Sequence, residues 1–349
     1  MKRFTLVYFI ILAMLMVGCN SPEFTSAKMY VNEGNLEKAE EFFLAALKVE
    51  PENALVPFLL AKHVYYEDGR WAEMADMFDE ALQRNPDAQL EQFFSLDDGT
   101  RVTTVGQAID IYRDQAWSKI YNEGVDVYRA GEKEEAAELF EVAVRVLPTN
   151  GTTYGTLASL YNELGRTNEA LDLLKNAPED CIVKQATGDI YLKLLDTEKA
   201  AESYRKSLDL CEDDGPILVK LIEVYIRMEK YDEALEVALK ALDSYGNDPD
   251  IYFNVGVLYQ QLAVDIYEPA RIKFLEISQS ADRDPGILLE IQNEFEDALN
   301  HFQEAKMYFY QSCDLEVNDS GACDAAKDTS KQASLLQDTL IPAVEEMRR

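Results

Sequence analysis

Two independent residue series in this chain repeat with one period, and that period constrains the fold more than any local motif does. Tyrosines recur at Tyr30, Tyr65, Tyr161, Tyr191, Tyr225 and Tyr259, and alanines at Ala39, Ala136, Ala170, Ala200, Ala234 and Ala298. Steps of 34 residues dominate both series, for example Tyr191 to Tyr225 and Ala200 to Ala234. Both also shorten together to 30, from Tyr161 to Tyr191 and from Ala170 to Ala200. A shared shortening places a four-residue deletion near Asn176-Ala177-Pro178, where proline stops a helix. Since 47% of the 349 residues are hydrophobic, the chain has enough apolar surface to bury a core, and the repeat divides that core among neighbouring units.

Within the period the pattern Gly34-Asn35-Leu36-Glu37-Lys38-Ala39, then Phe43, Ala46 and Pro51, returns as Gly131-Glu132-Lys133-Glu134-Glu135-Ala136 with Phe140, Ala143 and Pro148. This pattern resembles the tetratricopeptide repeat (TPR), in which each unit is a pair of antiparallel helices. The resemblance implies an all-α, right-handed α-solenoid with seven repeats at about 20–53, 55–88, 117–150, 151–180, 181–214, 215–248 and a last one split between 249–262 and 294–312. Two insertions break the phase. Residues 89–116 carry Phe93-Phe94, a polar turn at Asp97-Asp98-Gly99, and then Ile109, Ile111 and Tyr112, which lengthen the helix leading into Trp117. The long-helix insertion and the second half of the last repeat occupy 263–312; apolar spacing at Ile266, Ala270, Phe274 and Ile277 extends one helix, and a second begins near Ile287. Both insertions are expected to be helical. Residues 313–349 read as a loop and a capping helix with Leu335, Leu336, Ile341 and Val344 on its apolar side.

The resemblance also implies a partner groove on the first helix of each repeat. Carried onto this chain it comprises Leu59, His63 and Tyr66; Tyr121, Val125 and Tyr128; Ser159 and Asn162; Gln185 and Asp189; Val219, Glu223 and Ile226; and Phe253, Val257 and Gln260. The Lys and Asn of the subgroup that grips acidic C-terminal tails are absent from the matching places, such as Tyr121/Val125 and Val219/Glu223. Apolar patches alternating with acids suit an extended or helical protein segment with apolar anchors and basic charge, unless the insertions fill the wall themselves.

The N-terminus reads as an address. Met1-Lys2-Arg3 precedes an apolar run from Phe4 to Val17, whose fourteen residues are too few to span a bilayer core of about 30 Å. Leu15-Met16-Val17-Gly18-Cys19 resembles a bacterial lipobox, so residues 1–18 are expected to be a lipoprotein signal peptide and Cys19 the acylated new N-terminus. Asn20 lacks the aspartate that retains lipoproteins at the inner membrane, which by resemblance favours the outer membrane, facing the periplasm.

The remaining cysteines, Cys181, Cys211, Cys313 and Cys323, allow three connectivities in an oxidising compartment. Cys313 and Cys323 bracket a polar loop, and Cys181 and Cys211 lie at the two ends of one predicted helical hairpin; all four reduced is the alternative. Charge and chemistry exclude other classes. A net charge of −32 repels nucleic acid, and two histidines, His63 and His301, leave little for histidine catalysis or a multi-histidine metal site. No nucleophile elbow, phosphate loop or metal-binding signature is present, so neither an enzyme nor a cofactor is expected. The expected function is a lipid-anchored periplasmic scaffold for a protein or peptide partner in envelope assembly or secretion. The alternative is an accessory lipoprotein of solute uptake that binds a small apolar ligand.

Overall fold

The computed structural model describes residues 20–211, 215–246, 248–280, 283–315 and 320–349. The expected signal peptide and Cys19 lie outside them. The chain divides into two compact units, Met1–Pro178 and Glu179–Arg349. Each is built from antiparallel helical hairpins.

In the first unit the order is α1 (Pro22–Asn32), α2 (Leu36–Val49), α3 (Leu55–Leu60, continued by a π-helical turn, Ala61–Tyr65), α4 (Trp71–Arg84), β1 (Gln89–Ser95), β2 (Arg101–Thr104), α5 (Val105–Ala130), α6 (Lys133–Val146), α7 (Gly151–Glu163) and α8 (Thr167–Lys175). Ser21, Asn35 and Asn150 cap α1, α2 and α7 by accepting backbone N–H bonds, which answers donors that a helix start leaves open. The short α8 ends at Lys175, just before Pro178.

The first insertion differs from its expected all-helical form. Residues 89–104 contain an antiparallel hairpin that turns at Asp97–Gly99, with Gly99 in the left-handed region. The physical reason lies in Leu90 and Phe94, which are half-buried against the first core while their neighbours on β1 are exposed. Residues four apart also share one face of a strand, and the pairing of β1 with β2 carries a register irregularity between Gln89 and Phe94. Thr104 and Gln107 then form a reciprocal capping box and launch the 26-residue α5.

The second unit contains α9 (Cys181–Lys193), α10 (Thr197–Leu210), α11 (Gly215–Arg227), α12 (Tyr231–Ser244), α13 (Pro249–Ser278), α14 (Pro285–Leu315), α15 (Ser320–Leu335), a π-helical turn (Leu336–Leu340) and α16 (Ile341–Arg348). The long α13 and α14 pair along their length, burying Ala263, Ala270, Phe295 and Phe302 in one core. Leu336 and Val344 close that core, but Leu335, expected on the same side, is 45% exposed. Residues 335 and 336 lie about 100° apart around a helix, so only one of them can point inward. Disulfides join Cys181 to Cys211 and Cys313 to Cys323, with Cα separations of 5.8 and 5.1 Å. The first closes the hairpin of α9 and α10, and the second ties α14 to α15.

Hairpins close through one recurrent contact. A Cβ on Gly124 would lie 2.9 Å from the Phe140 ring, one on Gly188 would lie 2.5 Å from Tyr204, and one on Gly256 would lie 2.7 Å from Phe309. Each glycine lets an aromatic ring from the partner helix rest on bare backbone. Tyr204 has little room to yield: it is fully buried and its hydroxyl donates to Asp189 at 2.7 Å. Gly188→Ala should therefore lower unfolding free energy by about 1–3 kcal/mol in urea titrations, and an unchanged midpoint would contradict this packing.

The turns between first and second helices show the same phase in their backbone. Gly34, Gly69, Gly131 and Gly165 take positive φ, and in the second unit Leu195 (φ 61°) and Glu229 (φ 57°) take their place. A side chain in this conformation costs about 1–2 kcal/mol, and Leu195 is 76% exposed, with little packing to offset the cost. Leu195→Gly and Glu229→Gly should each stabilise the chain by about 0.5–1 kcal/mol; a lowered melting temperature in both would refute the assignment of strain.

Candidate functional site

The first-unit groove residues fall into two groups. Leu59 and His63, on α3 and its π turn, line a cavity of about 320 Å³. Its other walls come from α1 (Lys28, Val31, Asn32), α2 (Phe43), α3 (Phe58, Lys62) and β1 (Leu90, Glu91, Gln92, Phe94). Strand β1 is held over α1 by an ion pair, Lys28 Nζ to Glu91 Oε1 at 2.6 Å. Beside this cavity α3 is locally widened. The Tyr66 N–H donates to the Ala61 carbonyl, five residues back, at 2.8 Å. A turn with one residue too many opens the helix and displaces the side chains after it.

Burial governs the ionisation of two groups at this turn. His63 is pushed down to about 4 by desolvation and, second, by the charge of Lys62. Lys62 is lowered by desolvation, against a smaller opposing field from Glu67. At neutral pH His63 is thus an uncharged imidazole beside a half-buried ammonium. Among the described residues Lys62 makes no ion pair; its ammonium lies 5.6 Å from the Tyr112 ring centre.

Tyr66 belongs to a neighbouring aromatic cluster and not to the cavity lining. Its ring stands edge-on to Trp71 and Tyr112 at 5.6 and 5.5 Å, and its hydroxyl donates to Gln115 and accepts from Lys119. Further along, α5 presents Tyr121, Val125 and Tyr128 at steps of three and four residues, which places them on one helix face. The Tyr121 hydroxyl is 3.0 Å from Thr156 of α7, and its ring packs on Trp117 and Phe140. Val125 is half-buried, and Tyr128 is 38% exposed with its hydroxyl donating to Glu163. Ser159 is exposed, while Asn162 accepts a bond from Thr167 at 2.9 Å. A continuous polar and aromatic face therefore spans α5 and α7.

In the second unit much of the expected groove is already occupied. The Asp189 carboxylate receives Tyr204 at 2.7 Å and Lys220 at 2.7 and 2.9 Å, joining α9, α10 and α11. Phe253 and Val257 lean on the core of Ala305, Phe309 and Ala326, with the Phe253 and Phe309 ring centres 5.4 Å apart. Ile226 packs on the core of α10 to α13, and Glu223 pairs with Arg227 at 2.6 Å. Gln185 and Gln260 are half-buried, and Val219 is 41% exposed. The long helices thus cover the Phe253 and Val257 wall from within.

Sequence reasoning passed over Lys28, Asn32, Lys62 and the β1 residues of the cavity. A signal for the widened turn was present: Gly34 to Gly69 spans one residue more than the 34-residue period, and so does Tyr30 to Tyr65, whereas Ala27 to Ala61 keeps it. The extra residue lies between Ala61 and Tyr65, within the π turn.

The tetratricopeptide repeat model matches residues 24–53 and 185–214. Those two stretches are similar to tetratricopeptide repeats. A TPR repeat-containing protein MJ1428 of Methanocaldococcus jannaschii is 22% identical over 218 residues, covering 62% of this chain and 36% of that one. The chain spans between 23% and 53% of the length of the first curated relatives it matches. Among solved structures, one titled for the functional characterisation of Pseudomonas aeruginosa pilF covers 63% of this chain and 99% of its own at 19% identity and a TM-score of 0.38. A crystal structure of MamA covers 55% and 96% at 16% identity, also with a TM-score of 0.38.

The depressed His63 sets a pH dependence. Between about 6.5 and about 4 the unfolded chain takes up a proton that the folded chain excludes, so this contribution to stability is whole above 6.5 and is lost as pH falls to 4. In urea unfolding at pH 7 and pH 4.5, His63→Gln should lose less stability on acidification than the unmodified chain. Equal losses would show that His63 is not desolvated.

Proposed function

We propose that this chain is a lipid-anchored protein-interaction scaffold of the bacterial envelope, held at the outer membrane and facing the periplasm, where it serves envelope assembly or secretion. The observation that carries the reading is the face of α5 and α7. Tyr121, Val125, Tyr128 and Ser159 lie on helices at repeat positions, and Tyr128 keeps partly exposed aromatic surface on a rigid hairpin. Such a face suits a partner segment with apolar anchors, and the chain's charge of −32 would steer a basic one.

The anchor rests on the lipobox-like Leu15-to-Cys19 stretch, and the compartment gains support from the two disulfides, which persist where the surroundings are oxidising. Among the described residues no helix is long and apolar enough to cross a membrane. Nothing in the comparisons points to an enzyme activity.

Two measurements test the proposal. Metabolic labelling with palmitate should mark the chain and leave it in the membrane fraction, and Cys19→Ser should lose both label and sedimentation. Photo-crosslinkers at Val125 and Tyr128 in intact cells should capture a protein well above a control at Leu195, which lies in the other unit. A Cys19→Ser chain that keeps its label would remove the anchor, and equal capture at all three positions would remove the scaffold.

A further inference from the structure

We propose that the cavity beside the π turn of α3 binds a small monocarboxylate with an apolar body, its carboxylate seated on the Lys62 ammonium. This inference goes beyond the scaffold reading and does not depend on it. The charge inventory of the cavity supplies the first reason. Lys28 is neutralised by Glu91 at 2.6 Å, whereas Lys62 has no carboxylate within ion-pair distance among the described residues. Only the Tyr112 ring and the weaker, more distant field of Glu67 answer this half-buried cation, which leaves it costly, and a bound anion relieves that cost. Other cations without an ion pair among the described residues, such as Lys48, Lys175 and Lys240, are exposed to water, whereas Lys62 is half-buried.

The size and lining of the cavity supply the second reason. About 320 Å³ sits at the lower end of small-molecule sites. Phe58, Leu59, Leu90 and Phe94 offer apolar walls, so the body of the ligand should be aromatic or short-chain aliphatic. A neutral ligand would leave Lys62 unanswered. A dianion would bring a second charge that nothing in the lining receives, because the other cation is already paired and His63 is uncharged at neutral pH. One negative charge fits, and the imidazole N–H or the Asn32 and Gln92 amides supply donors for the second oxygen.

The local backbone supplies the third reason. The extra residue in the Ala61–Tyr65 turn places Lys62 and His63 on the cavity, and β1 forms another of its walls. Both departures from the regular repeat, a widened turn and an inserted strand, thus converge on the same space. Neither is required by the hairpin packing that builds the other repeats.

The test uses the whole chain, with 3-phenylpropionate and hexanoate as probes and 3-phenylpropionamide as the neutral control, followed by calorimetry or ligand-observed NMR. Both carboxylates should saturate at about millimolar concentration or below, with the amide at least ~10-fold weaker. Lys62→Met should weaken binding by at least ~10-fold, Lys62→Arg should retain it, and Leu59→Trp, which fills the cavity while keeping Lys62, should abolish it. Lys133→Met, on α6 and away from the cavity, should bind normally. Lack of saturation by either carboxylate, equal binding of the amide, or unchanged binding in Leu59→Trp would overturn the proposal. Should Lys62→Met fail to fold, the amide comparison and Leu59→Trp still decide. Crosslinking from Val125 reads out separately, so loss of either proposal leaves the other standing.

Discussion

In three of the helix pairs an aromatic ring lies on the bare backbone of a glycine, and much of the rest follows from it. Where Gly124 meets Phe140 and Gly188 meets Tyr204, the two residues are sixteen apart in sequence, so the ring comes from the second helix of the same hairpin. Because side chains cannot separate the helices there, the hairpin has one permitted spacing and register. That rigidity lets the outer side of each first helix carry residues unconnected with folding, such as Tyr128 and Ser159. In the last pair the ring, Phe309, comes from the far end of α14, and the same contact with Gly256 therefore sets the register of two helices of about thirty residues each.

Polar contacts add specificity more than strength. Asp189 binds the Tyr204 hydroxyl and the Lys220 ammonium, so the ring that closes one hairpin also marks where the next hairpin sits. Tyr204 is held un-ionised well above the usual phenol range, first by burial and then by the Asp189 carboxylate beside it. Exposed pairs such as Lys206 with Glu202 and Lys331 with Asp328 contribute little by comparison, since water and salt screen them. The overall negative charge is thus chiefly a property of the surface, where it bears on solubility and partner choice.

The repeat was legible because folding depends on it: Tyr, Ala and Gly return in phase since each has a place in hairpin packing. The long α13 and α14 were legible for the same reason, through the spacing of Ile266, Ala270, Phe274 and Ile277. The hairpin of β1 and β2 was less so. Phe93-Phe94 looks like an apolar helix segment in one dimension, yet Phe93 is 56% exposed and only Phe94 turns inward. Leu335 and Leu336 posed the same difficulty, since two adjacent leucines do not announce which one packs. Groove positions were harder still. Phe253 and Val257 occupy repeat positions that usually face outward, but the C-terminal part of α14 and the capping α15 pack on them, a long-range event that no local spacing records.

The π turn shows how a repeat protein acquires a site without losing its fold. One added residue within a helix normally rotates everything beyond it by about 100° and would misplace the closing turn and the second helix. Here the five-residue hydrogen bond from Tyr66 to Ala61 absorbs the addition locally, so Tyr65 still precedes Gly69 by the same interval as Tyr30 precedes Gly34, and α4 keeps Met74, Phe78 and Ala81 in the core. The disturbance is confined to the stretch that carries Lys62 and His63. The cavity and the altered ionisation of both residues coincide at the place where the helix bulges.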